Sequence, residues 1–147
     1  SWSRLWKVKI PSKVRVFVWR LSHMSLPIGT TRHERKMATT PACSICNAET
    51  DSWRDSLFGC RMARCVWALG DEEVVEHMLS NRTDDARLWL FWLFESMNQH
   101  DLARVLITMW AIWWARIRAI HDNEFQSPLS TMCFINRYPG GPGHSYC

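Results

Sequence analysis

The chain lacks the motifs on which the active sites of several common enzyme classes are built. Its 147 residues include six glycines, but none of them forms a phosphate-binding loop. The motifs GxSxG of serine hydrolases and HExxH of zinc proteases are also missing. The sequence shows no set of carboxylates on strands that could hold two catalytic magnesium ions. The adjacent pair Asp84 and Asp85 is placed to cap a helix. We therefore predict that the chain is not an enzyme and has no small-molecule substrate.

Long apolar runs are missing too. The longest run, residues 88–94, is far shorter than the ~20 residues that span a bilayer. The first residues show no apolar segment of a secretory signal peptide. We therefore expect an intracellular protein, nuclear or cytoplasmic, without a membrane partner. The chain does not begin with Met, so we also expect a fragment of a longer polyprotein.

Charge is distributed unevenly along the chain. Residues 1–40 hold nine Lys and Arg against one acidic residue, Glu34, whereas the remainder holds nine against thirteen. A basic front and an acidic rear favour a nucleic-acid partner that meets the front. RNA or single-stranded DNA is the expected partner. The predicted contact residues are Lys7, Lys9, Lys13, Arg15, Trp19, Arg20, Arg32, Arg35 and Lys36.

The first long apolar pattern predicts a helix that begins at Pro11 or Ser12, after an extended lead-in over residues 1–10. Its apolar face follows the 3.6-residue period and comprises Val14, Phe17, Val18, Leu21 and Met24. Lys13, Arg15, Trp19 and Arg20 lie on the opposite arc. These cations could neutralise phosphates while Trp19 stacks on a base. The alternative is a solvated basic face with Trp19 packed on a neighbouring element.

Cysteine spacing points to a metal site. Cys43 and Cys46 are separated by two residues, so a single tight turn can place both thiolates on one ion, and Cys60 can close the site from the other side. Such a spacing in a reduced compartment is more typical of metal binding than of disulfides. The predicted ligands of a structural zinc are Cys43, Cys46, Asp55 and Cys60. Cys65 is a rival fourth ligand, but it lies about 140° around a helix from Cys60.

These features together resemble the reverse-transcriptase zinc-binding domain of plant non-LTR, LINE-type retroelements. The resemblance covers residues 2–67. It rests on the opening run LWKVKIPSKVRVFVWRL over residues 5–21, followed by Leu26-Pro27, Cys43-x-x-Cys46, Glu49, Cys60, Ala63 and Val66-Trp67. The family has a His five residues before the last Cys, where this chain has Asp55. The resemblance implies a nucleic-acid-binding accessory module that works with the polymerase domain of its parent element.

The rear of the chain predicts further helices around a tryptophan-rich core. Asp71 should cap a helix over residues 72–80, and Asp84 or Asp85 should cap the apolar helix that contains residues 88–94. Asp101 should cap a long helix that runs to about His121. Ser127-Pro128 should begin a last helix. Residues 88–94 are apolar on all sides, so that helix should be buried or bound to a partner. On the long helix, Leu106, Trp110 and Trp113 should be buried, and Arg116 falls inside the same apolar arc and needs a polar partner.

The predicted fold class is mainly α: a helical domain in which a small zinc-knuckle loop is inserted between an N-terminal basic helix and a tryptophan-rich helical bundle. The predicted parts are a zinc-binding-like domain over residues 1–70, a helical extension over 71–137 and a disordered tail over 138–147. The functional alternative is a helical protein-interaction unit, or a retroelement remnant without retained activity, with residues 88–94 as the contact surface.

Overall fold

The computed structural model describes residues 2–26 and 52–137, and every regular element in these two ranges is helical. The elements are α1 Trp2–Lys7, α2 Ser12–Ser22, a π-helical turn Asp55–Gly59, α3 Arg61–Ala68, α4 Glu72–Ser80, α5 Ala86–Ser96, α6 Gln99–His121 and α7 Pro128–Ile135. The mainly α class is thus confirmed for the described residues. The CxxC turn and the tail over 138–147 lie outside them.

The long helix α6 is the centre of the fold. Its 23 residues span about 35 Å, and α2, α3, α7 and the π-helical turn all pack against it. Leu106, Trp110 and Trp113 are buried as predicted, and so is Arg116, at 1% exposure. The core cluster joins side chains from both sides of residue 70. The division of the chain at that point stays a prediction.

Side-chain caps start most of the rear helices. Asp71, Asp85 and Ser127 each accept a hydrogen bond from a backbone N–H in the first turn of α4, α5 and α7, as predicted. The predicted cap of α6 is wrong: Asn98, not Asp101, occupies the cap position and accepts from the Asp101 N–H at 2.8 Å. Asp101 instead lies in the first turn, where its charge is favoured by the helix dipole.

The first ten residues are not an extended lead-in. Trp2–Lys7 forms the helix α1, with Leu5 fully buried at 1% exposure. Trp2 packs edge-on against Phe91 and Phe94 of α5, at ring-centroid distances of 5.3 and 6.3 Å. This packing on α5 stabilises a helix that is too short to persist by its own hydrogen bonds.

Helix α2 presents the predicted apolar face to the core. Val14, Phe17, Val18 and Leu21 are at most 4% exposed. Met24 does not belong to this face: it follows the end of the helix with a φ of 52° and is 45% exposed. The left-handed backbone at Met24 turns the chain away before a further helical turn can form.

Four aromatic rings form the part of the core beneath the π-helical turn. Trp53, Phe58, Trp67 and Trp89 meet with centroid separations of 5.3 to 5.9 Å. Each of the three indole N–H groups donates to a backbone carbonyl: Trp53 to Asp84, Trp67 to Leu57 and Trp89 to Met78. The rings are therefore buried without leaving their polar atoms unpaired.

Helix α5 is buried along one face. Trp89, Leu90, Leu93 and Phe94 are fully buried, whereas Leu88 is 60% exposed. The helix is therefore not buried on all sides by the described residues, and a partner that covers its outer face stays a prediction. Within the same residues, no helix is both long and apolar enough to cross a membrane.

Candidate nucleic-acid interface and metal site

The outward face of α2 carries the predicted contact residues of the front. Lys13 is exposed, and Trp19 keeps 51% of its surface in solvent, as predicted. Val16 lies between them on the helix and is 57% exposed. A cation and an indole on either side of an exposed valine make this face able to attract an anion and to contact a flat apolar group.

Arg15 and Arg20 are more constrained than the sequence predicts. Each is half-buried and donates a hydrogen bond from its guanidinium to a backbone carbonyl, Arg15 to Val8 at 2.9 Å and Arg20 to Ser25 at 3.2 Å. Both lie on the predicted side of the helix, but they are only partly exposed, whereas exposed side chains were expected there. Their charges stay at the surface, and the two hydrogen bonds fix the chain segments before and after α2.

A groove of about 300 Å³ runs between α2 and α6. Lys13 and Arg20 lie on its α2 side, and Trp110, Trp113 and Trp114 lie on its α6 side. The Lys13 ammonium lies 4.7 Å from the centre of the Trp110 ring, a cation–π contact. This contact holds the charge at the rim of the groove.

A second, larger groove of about 430 Å³ lies between α1 and α2. Trp2, Trp6, Arg15, Val16 and Trp19 line it. Trp6 is 65% exposed, and the Arg15 guanidinium lies 5.9 Å from the centre of its ring. Trp6 was not among the predicted contact residues. The helical spacing of Trp2, Leu5 and Trp6 was the signal that could have indicated it.

The remaining predicted basic residues fall into two groups. Lys7 and Lys9 are exposed at the end of α1 and in the turn that follows. Arg32, Arg35 and Lys36 lie outside the described residues. Their part in the interface stays a prediction.

The π-helical turn links two of the four predicted metal ligands by a backbone hydrogen bond. Asp55 begins the turn and Cys60 follows it, and the Cys60 N–H donates to the Asp55 carbonyl at 2.6 Å. This bond joins residues five apart, which is the spacing between the family's His position and its last Cys. Cys60 is buried at 4% exposure, whereas Cys65 is exposed. The two thiols thus differ in exposure. Cys60 precedes α3 with a ψ of 143°, so the expected separation around a helix does not describe their placement.

The Asp55 carboxylate also caps the start of the segment. Its Oδ2 accepts from the Ser52 N–H at 3.2 Å and from the Ser52 hydroxyl at 2.9 Å, while the Asp55 N–H donates to Ser52 Oγ at 3.2 Å. This reciprocal pair is a capping box with Asp in place of the usual Glu. The other oxygen, Oδ1, lies 3.5 Å from the place that a Cβ on Gly59 would take.

Trp53 and Arg54 anchor this segment to the rest of the protein. Trp53 is 2% exposed and donates to the Asp84 carbonyl at 2.7 Å, and Arg54 donates to the Thr83 carbonyl at 3.1 Å. Burial lowers the pKa of Arg54 from its ordinary value, although the Asp84 carboxylate opposes this shift. The guanidinium remains charged at any physiological pH. The position of Asp55 and Cys60 is therefore set by a rigid support.

Two of the four predicted zinc ligands, Asp55 and Cys60, lie among the described residues. A buried cysteine and a carboxylate are both zinc ligands. Cys43 and Cys46 lie outside the described residues, and within the described ranges no group of three or more His, Cys, Asp or Glu converges on one point. The complete ligand set stays a prediction.

Comparison with known proteins gives the class of the front half. Residues 1–67 match the family described as zinc-binding in reverse transcriptase. This interval agrees with the predicted resemblance over residues 2–67. The front part of the chain is therefore similar to the reverse-transcriptase zinc-binding family.

A longer relative extends the similarity into the rear helices. A protein of Arabidopsis thaliana named "Putative ribonuclease H protein" is 24% identical over 114 residues, which cover 75% of this chain. The match spans only 18% of that relative, so the chain corresponds to a small part of it. No solved structure was found to match the chain.

Proposed function

We propose that this chain is a nucleic-acid-binding accessory module of a LINE-type reverse transcriptase, held in shape by a structural zinc and without a catalytic role of its own. The observation that carries the proposal is the outward face of α2, where Lys13 and Trp19 flank the exposed Val16. The family match over residues 1–67 and the plant relative support the link to retroelements.

Charge supports an anionic partner at the front. Residues 2–26 contain six Lys and Arg and no acidic residue. Acidic residues gather elsewhere, for example at Glu72 and Glu73 in the first turn of α4. A one-sided field of this kind raises the local concentration of a polyanion and orients it toward α2. RNA or single-stranded DNA fits this field, with Lys7, Lys9, Arg15 and Arg20 as additional positive charges.

The zinc would be held by Cys43, Cys46, Asp55 and Cys60. A closed, four-coordinate zinc ties distant parts of a chain together and supplies folding free energy rather than catalysis. The π-helical turn keeps Asp55 and Cys60 adjacent, and the aromatic rings beneath it keep water away from that side. Further partners would include the polymerase domain of the parent element.

The proposal is tested by comparing two triple variants of equal charge change. The front variant replaces Lys13, Arg15 and Arg20 by Ala. The control replaces three exposed arginines of the rear, Arg64, Arg82 and Arg87, by Ala. Affinity for a fluorescently labelled single-stranded RNA at 100 mM salt should fall roughly 10- to 100-fold for the front variant, because three counterion-releasing contacts are lost.

The control variant should bind nearly as tightly as the parent chain. Thermal melts of both variants show whether each remains folded. Equal losses for front and rear variants would mean that only net charge matters. No binding by the parent chain would refute the proposed function.

One observation favours the second candidate, a helical protein-interaction unit. Leu88 on α5 is 60% exposed and Leu79 at the end of α4 is 39% exposed. Exposed apolar side chains of this kind can belong to a contact surface. If the parent chain binds no nucleic acid but a Leu88→Glu variant loses a protein partner, this second function is the correct one.

A further inference from the structure

The groove between α1 and α2 has an unusual lining for a water-exposed surface. Trp6 and Trp19 are 65% and 51% exposed, whereas Trp53, Trp67, Trp89, Trp110 and Trp113 are all at most 8% exposed. Leaving two indoles in water forgoes the free energy that their burial would supply. The two rings line a groove of about 430 Å³. This volume is within the range of sites that bind small organic ligands.

Each of the two rings is already covered on one side. The His23 imidazole stacks on Trp19 with a centroid distance of 4.1 Å and an interplanar angle of 27°. The Arg15 guanidinium lies over Trp6. These contacts hold the rings in place, while 65% of Trp6 and 51% of Trp19 stay accessible to a further flat group. The groove is thus prepared for stacking before any ligand arrives.

The charge around the groove selects among flat ligands. Arg15 lies in its wall, and the whole of residues 2–26 carries no acidic residue to repel an anion. A purely apolar peptide would make no use of this field. A nucleic-acid strand supplies flat rings and phosphates at once, so it satisfies both the indoles and the cations.

We propose that Trp6 and Trp19 stack on unpaired bases, so that the groove between α1 and α2 binds single-stranded nucleic acid in preference to duplex. This inference rests on the proposed function and names its substrate class. Paired bases are stacked inside a duplex and must be unstacked before they can reach an indole, which costs binding free energy.

The neighbouring groove gives the strand a continuation. Val16 lines both grooves, and on its far side lie Lys13 and Arg20. A strand whose bases occupy the α1–α2 groove can cross Val16 and place its phosphates on these two cations. Bases and backbone are then bound by two separate sets of side chains, which can be changed independently.

The experiment measures affinities of the full chain, in zinc-containing buffer, for a labelled uridine-rich single strand and for a duplex of matched length. The variants are Trp6→Ala and Trp19→Ala, with Phe125→Ala as the control because Phe125 is 71% exposed and lines neither groove. Loss of one stacked base should weaken single-strand binding by about 5- to 150-fold. Duplex binding should change little.

Trp6→Phe and Trp19→Phe should restore most of the affinity, since phenylalanine also stacks. The inference is overturned if both alanine variants bind the single strand as the parent does, or if duplex and single strand bind equally well. In either case the loss of binding in the Lys13, Arg15 and Arg20 variant would still uphold the proposed function.

An acidic, leucine-containing peptide tests the competing occupant. If this peptide binds in a way that depends on Trp6 and Trp19 while no oligonucleotide does, the groove belongs to a protein partner. That result would overturn both the inference and the proposed function.

Discussion

Two neighbouring tryptophans of α6 allow the packing of the core to be tested with a matched pair of substitutions. Trp113 is 8% exposed and lies 6.4 Å from the Phe17 ring of α2, whereas Trp114, the next residue, is 44% exposed. Burying a tryptophan removes up to about 200 Å² from water, which is worth roughly 5 kcal/mol as an upper bound. Trp113→Ala should therefore cost about 3–5 kcal/mol in the free energy of unfolding.

Trp114→Ala should cost much less, roughly 1–2 kcal/mol, because a large part of its ring is already in water and its removal opens surface rather than a cavity. The assay is equilibrium unfolding in urea at a fixed zinc concentration, since bound metal adds to the apparent stability. The reasoning is refuted if Trp113→Ala costs less than about 1 kcal/mol, or if the two variants cost the same.

Four further predictions concern the metal site and a helix cap. Asp55→His should raise zinc affinity by about 10- to 100-fold, measured by competition with a chromophoric chelator, because imidazole adds no negative charge beside three thiolates. Asp55→Asn keeps an oxygen acceptor for the Ser52 capping box but should weaken zinc; unchanged zinc affinity would show that Asp55 only caps. Cys65→Ser should leave zinc affinity unchanged, and loss of binding would make Cys65 the fourth ligand. Asn98→Ala should lower the free energy of unfolding by about 1 kcal/mol, whereas Asn98→Ser should be nearly neutral in the same urea assay.

Helices whose apolar residues repeat with the helical period over several turns could be predicted from the sequence, because these residues form one face that packs on the core. Val14, Phe17, Val18 and Leu21 repeat with the helical period and are all buried in α2, and the same pattern gives the buried face of α6.

The residue that caps a helix is harder to assign from the sequence. Asn98 and Asp101 are both good cap residues three positions apart, and the local sequence does not distinguish them.

The parts that could not be predicted depend on contacts between distant residues. Helix α1 exists because Leu5 is buried and Trp2 packs on α5, more than 80 residues away along the chain. Arg15 and Arg20 are drawn inward by carbonyls in the turns that flank α2. Trp6 joins the site only once α1 is helical.

The local backbone between two predicted zinc ligands, Asp55 and Cys60, could not be predicted from the sequence. The five-residue interval between Asp55 and Cys60 is closed by a π-type hydrogen bond, which no apolar period signals. The capping box between Ser52 and Asp55 was not predicted either, because Ser-x-x-Asp is a weaker pattern than the usual Ser-x-x-Glu. If Asp55 ligates zinc, ligation and capping use the same carboxylate, and the Asp55→Asn variant separates the two roles.

The central claim is that the front of the molecule binds nucleic acid through phosphate contacts from α2. Its most direct test is the slope of log affinity against log salt concentration for a single strand. The slope should become shallower by about 2 when Lys13, Arg15 and Arg20 are replaced by Ala, because each lost phosphate contact removes about 0.7. It should stay at the parent value when Arg64, Arg82 and Arg87 are replaced. An unchanged slope in the front variant would contradict the claim.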